Sequence, residues 1–163
     1  MKSALQLIVI FILCTVIHWA FAAFGSSFNI SINFMLTVCV IVCARYNKWA
    51  GYTFAFFGGM FLDFFGVNMF GAYALTFTLC AGIVYLVKKL LDFESVLPQM
   101  VLIFCITIIS VLLYNFTGLI FSKGTAWHGF QSLVFGAVSN SIIALFVFST
   151  FNALSLPEAE SFV

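Results

Sequence analysis

The stretch Gly58 to Phe77, GGMFLDFFGVNMFGAYALTF, holds the residue best placed to do chemistry, Asp63. A carboxylate inside an apolar run either contacts a ligand or ion, or satisfies backbone donors that have no water to meet them. The two imidazoles, His18 and His128, fall in distant apolar segments and do not read as one metal site. Five cysteines, Cys14, Cys39, Cys43, Cys80 and Cys105, all lie inside apolar runs and form no C-x-x-C pair. They read as small packing residues. No zinc-protease helix motif, nucleophile elbow or phosphate-binding loop occurs. No second intramembrane acid pairs with Asp63 for acid–base work. The expectation is therefore a protein without catalytic residues, metal or cofactor, acting by binding or scaffolding.

The elements that position these residues follow from composition. Of 163 residues, 64% are hydrophobic and 7% are charged, and mean hydropathy is +1.23. A soluble domain carries about 25% charged residues. So few charges do not cover the surface of a water-soluble fold of this size, and the bilayer is the natural solvent. The formal net charge of +1 offers no electrostatic footprint for nucleic acid.

Six apolar segments have the length to cross or nearly cross a membrane: 4–24, 29–45, 49–66, 69–90, 97–121 and 128–153. The expected fold class is all-α, a single polytopic membrane domain over 1–163. With the N-terminus inside, Lys2, Arg45, Lys48, Lys88 and Lys89 share the cytoplasmic side, and Lys123 lies outside. That asymmetry is the positive-inside pattern, and it places both termini in the cytoplasm. Lys2, the apolar run after it and Ala20-Phe21-Ala22 also fit a cleavable signal peptide, which would leave five spans. The run is long for such a segment.

Helices in lipid associate through close packing and polar contacts, so small residues at four-residue spacing mark interfaces. Gly51, Ala55, Gly59 and Asp63 form such a series in the third span. Ala74, Thr78 and Gly82 do so in the fourth, and Ser132, Gly136 and Asn140 in the sixth. Asp63 lies about 21 Å along the third helix from Trp49, close to the following turn. A carboxylate there is within reach of the next helix start, whose N–H groups need an acceptor. The spacing predicts that Asp63 caps the fourth span near Phe70 to Ala72. Asn29, Asn33 and Thr37 on the second span read as an inward polar face. So do Thr107, Ser110, Tyr114 and Thr117 on the fifth. A solute pocket is the competing use for both faces. Arg45, Lys48, Lys88 and Lys89 are the charged cytoplasmic handles, able to touch a filament or anionic lipid, or to act as orientation signals alone.

The block from Ile32 to Val87 resembles the core of the rod shape-determining protein MreD family. The likeness rests on a helix ending G-x-x-x-D, a turn, and a helix start x-G-x-x-A-L. Here these are Gly59, Asp63, Gly71, Ala74 and Leu75. The resemblance implies a fold similar to the substrate-binding subunits of energy-coupling factor transporters. It also implies a non-enzymatic scaffold of bacterial cell-wall elongation in the inner membrane. Implied partners are the single-span coiled-coil protein MreC, the polymerase RodA with its penicillin-binding transpeptidase, the actin-like MreB, and membrane lipids. Asp63, Gly59 and Gly71 would then be structural or interface residues, as would Ala55 and Gly51 on the same stripe. The alternative is a vitamin- or metal-binding subunit of an uptake transporter. That class is similar in size but uses an A-x-x-x-A series on its first helix, and no two alanines here lie four apart.

Overall fold

In the computed structural model, residues 2–27, 32–65, 69–89, 96–121 and 129–153 are described. They form six α-helices and no strand. These are α1 (Lys2–Ser27), α2 (Phe34–Arg45), α3 (Lys48–Phe65), α4 (Ala72–Val87), α5 (Val96–Ile120) and α6 (Gly129–Ala153). Three segments are long and apolar enough to cross a membrane: Leu5–Ala23, Leu97–Ile120 and Leu133–Phe151. The chain therefore has the character of an all-helical membrane protein.

Two helices are shorter than the hydropathy predicts, and each has a local cause. The second apolar segment reads as 29–45, yet α2 begins at Phe34. Asn33 stops it there: its side chain accepts from Leu36 N–H at 3.1 Å, as an N-cap residue does. Asn29 lies outside the described residues. The fourth segment reads as 69–90, yet α4 begins at Ala72. Gly71, at φ 93°, turns the chain through the left-handed region and fixes the start. At 12 residues, α2 is only about 18 Å long.

The shortest helix is the central one. Every residue from Phe34 to Cys43 is buried, and α2 packs against all five other helices. A helix that is apolar all round belongs in such a position. Around it, α3 and α4 make one antiparallel hairpin and α5 and α6 another. Helix α1 lies at the rim: 6% of its apolar segment is buried in the bundle, against 33% for α5 and 39% for α6. Cys14, Cys39, Cys43 and Cys80 point into the core, whereas Cys105 is exposed. Among them, Cys14 Sγ sits 3.4 Å from Met35 Sδ, a sulfur contact that joins α1 to α2.

This arrangement predicts an order of thiol reactivity. In the detergent-solubilised chain, a small apolar mercurial should modify Cys105 first, and the other four only on denaturation. Peptide mass mapping reads the order. Modification of Cys39 or Cys43 at the Cys105 rate would mean that α2 is not enclosed.

Candidate functional site

The α3–α4 hairpin is held at both ends and pressed together between them. At one end stands Asp63, 5% exposed. Its Oδ1 accepts from Tyr73 N–H at 2.9 Å and its Oδ2 from Ala74 N–H at 3.0 Å. The sequence places these donors at Phe70 to Ala72; the structure has them slightly further along, because Gly71 delays the helix start. Ala72 N–H bonds to Met69 O at 3.4 Å, and Leu75 N–H to Gly71 O at 3.0 Å. The N–H groups of Ala72, Tyr73 and Ala74, which no turn of α4 could satisfy, thus have acceptors. The usual capping position, Gly71, supplies no side chain. The acceptor comes instead from the preceding helix. A carboxylate at a helix N-terminus is also favoured by the helix dipole.

Gly59 lies one turn before Asp63 on the same face. A Cβ there would fall 2.5 Å from Ala74 Cα and from Tyr73 O. The backbones of α3 and α4 therefore touch at the level of the clasp, and only glycine allows it. At Gly71 a Cβ would meet no atom within 4 Å, so that glycine serves the backbone angle alone. Ala55, 0% exposed, continues the α3 face. Gly51 comes next, and a Cβ there would collide with Tyr85 Oη. Tyr85 fills the space that Gly51 leaves, and its hydroxyl donates to Asn47 O at 3.0 Å. Reciprocally, Tyr52 Oη would lie 3.4 Å from a Cβ on Gly82. The two rings are 5.3 Å apart. Asn47 Oδ1 in turn caps α3 by accepting from Ala50 N–H at 2.8 Å. The structure thus gathers Gly51, Ala55, Gly59 and Asp63 into one seam, and Gly71 shapes the turn that leads into α4.

A second polar site joins α2 to α5 and α6, and sequence reasoning did not pair its members. Asn140 is fully buried. Its Oδ1 accepts from Asn33 N–H at 3.0 Å, and its Nδ2 donates to Thr107 Oγ1 at 3.4 Å. Thr107 Oγ1 donates to Ile103 O at 2.7 Å, and Ser110 Oγ to Thr107 O at 2.8 Å. Thr117 Oγ1 likewise donates to Tyr114 O at 2.7 Å. A lone amide in an apolar run was the available signal; which amide meets which is a matter of topology.

The basic handles gather at the other end of the bundle. Arg45 lies with its guanidinium 4.8 Å from the centroid of Phe148, a cation–π contact between the ends of α2 and α6. Lys48 and Lys89 are exposed and Lys88 half-buried. His18 is half-buried on α1, and His128 lies outside the described residues. Among the described residues no group of His, Cys, Asp or Glu is arranged to hold a metal. In comparisons with known proteins, the chain matches no family model, no curated protein and no solved structure.

The clasp makes a graded prediction. Each buried N–H left without an acceptor costs about 1–3 kcal/mol. Asp63→Leu strands two donors and should cost about twice what Asp63→Asn does, since the amide keeps one acceptor oxygen. Thermal unfolding of the purified chain, followed by circular dichroism, measures both. Equal losses would remove the two-bond account. A second contrast lies in the glycines. Gly59→Ala forces backbones apart and should cost about 1–3 kcal/mol, as overpacking does. Gly71→Ala meets only the left-handed penalty of about 1–2 kcal/mol. A Gly59→Ala variant as stable as wild type would show that the helices do not touch there.

Proposed function

We propose that this chain is a six-span inner-membrane scaffold of the bacterial cell-wall elongation machinery, of the MreD type. The observation that carries this reading is the clasp itself. Of the residues of the resemblance, Gly59, Asp63 and Ala74 meet in one seam, Gly71 shapes the turn between them, and Leu75 faces outward, 51% exposed. The spacing therefore has a physical basis beyond shared hydropathy.

Six crossings are consistent with the packing. Helices too short to span alone are tolerated when their end groups are satisfied inside the protein, as the first N–H groups of α2 and α4 are. The N-in orientation follows from the clustering of Arg45, Lys48, Lys88 and Lys89 at one end. A fold akin to the substrate-binding subunits of energy-coupling factor transporters belongs to the same proposal.

On this reading the protein acts through lateral helix surfaces and the basic end, without catalysis. Its partners would be an MreC-like single-span protein, RodA with its transpeptidase, and MreB at the cytoplasmic face. A solute-uptake role finds less support. Thr107, Ser110, Thr117 and Asn140 are engaged with backbone carbonyls and with one another, where a solute pocket would need free polar groups.

Mild detergent extraction of a tagged chain from its host, with mass spectrometry of what accompanies it, tests the proposal. A single-span coiled-coil protein and wall polymerases are expected. Paired cytoplasmic ATPases, or a retained vitamin or metal, would replace the scaffold with an uptake subunit.

A further inference from the structure

A groove of about 540 Å³ runs between the start of α1 and the start of α3. Leu7 and Phe11 form one wall, and Phe54 and Phe57 the other, with Thr53 between them. Asn47 and Trp49 stand at its end. The groove opens sideways to the surroundings: Ile8 is 56% exposed, Phe57 55% and Trp49 85%.

Basic side chains gather at this end. Lys48 lies between Asn47 and Trp49, and the Tyr85–Asn47 bond brings the α4 terminus, with Lys88 and Lys89, to the same end. Among the described residues Asp63 is the one acid, and it lies about 22 Å further along α3. An apolar trough that leads away from the exposed Lys48 suits a ligand with a hydrocarbon tail and an anionic head. Tryptophan at the rim is the side chain that favours headgroup depth. The volume is that of a small-ligand pocket, whereas a helix with its side chains is about 10–12 Å across and demands a face.

We infer that this groove seats an acyl chain of an anionic membrane phospholipid, with the phosphate held at the Asn47–Lys48 turn. The lipid would fill the space beside the Phe11–Phe54 contact and so add to the hold of α1 on the hairpin. The site rests on the membrane character of the chain and is independent of the scaffold proposal.

The test uses the full chain in mild detergent, titrated with phosphatidylglycerol or phosphatidylethanolamine and read by native mass spectrometry. Wild type should retain one phosphatidylglycerol about fivefold more tightly, the order expected for one lysine at an anionic headgroup. Lys48→Gln should remove most of that preference. Thr53→Trp fills the groove from an exposed position and leaves the charges intact; it should lower retention of both lipids. Ala50→Leu is a milder filling variant and should do the same to a smaller degree. Circular dichroism checks that each variant keeps its helicity. Equal retention of the two lipids by wild type, or retention unchanged by both filling variants, would overturn the proposal. A photoreactive phenylalanine analogue at position 57 in native membranes supplies the independent check. An adduct of phospholipid mass supports the site; an adduct to another polypeptide assigns the groove to a partner helix and overturns it.

Discussion

A helix that starts away from water must find acceptors for its first N–H groups within the protein. Each amide left unmet in the protein interior costs about 1–3 kcal/mol. That requirement organises this bundle. Helix α4 is met by Asp63 on α3. Helix α2 is met by its own Asn33 and, through Asn33 N–H, by Asn140 on α6. Helix α3 starts at an exposed turn and is met by its own Asn47. Two of the three solutions use a side chain from a different helix, so satisfying the backbone also fixes tertiary contacts. Short helices become permissible, and α2 can occupy the centre although it is too short to span a bilayer alone.

Close packing then does what hydrophobicity does in water. Lipid tails solvate leucine as well as another helix does, so apolar burial alone gives little preference for any one arrangement. The α3–α4 seam relies on steric fit. Gly59 lets the backbones touch beside the clasp, while Gly51 and Gly82 receive the tyrosines of the facing helix. The hydroxyl of Tyr85 finds Asn47 O, so the ring packs without stranding its polar end. The Asp63 clasp and the Tyr85 bond sit at opposite ends of the hairpin. Sliding one helix along the other would break both, and the unit is therefore rigid in register. A rigid hairpin would suit the proposed action through lateral surfaces.

Much of this seam was legible in the sequence, and the reason is locality. Asp63 and its donors are separated by one tight turn, so helix geometry alone brings them together. The stripe Gly51, Ala55, Gly59 lies on one helix and needs only the 3.6-residue period. The Asn33–Asn140 contact spans most of the chain. Nothing local distinguishes it from any other pairing of amides, and it emerges only when six helices have been placed. The start of α2 at Phe34 departs from the hydropathy for a related reason. Hydropathy counts Asn29 to Asn33 as part of an apolar run, whereas the Asn33 side chain competes with the helix for its own backbone. In the sequence Arg45 reads as a charged cytoplasmic handle; its contact with Phe148 depends on how α6 returns beside α2.

The attachment of α1 explains a peculiarity of composition. The chain has 23 phenylalanines, and α1 meets the bundle largely through aromatic pairs. Phe11 stands edge-on to Phe54 and Phe61, with centroids 5.6 and 6.1 Å apart. Trp19 meets Phe65 at 5.1 Å, and Phe21 stacks on Phe34 at 5.6 Å. An aromatic pair carries a quadrupole term of about 0.5–1.5 kcal/mol beyond its area. Hydrocarbon tails lack that term, so they do not compete for the partner as they would for leucine. Four such contacts along one helix can hold it in register against the rest without burying it. Helix α1 can therefore remain mostly exposed to its surroundings and still be specifically placed. An exposed helix held in register presents a defined apolar face to the membrane, which a loosely tethered one would not.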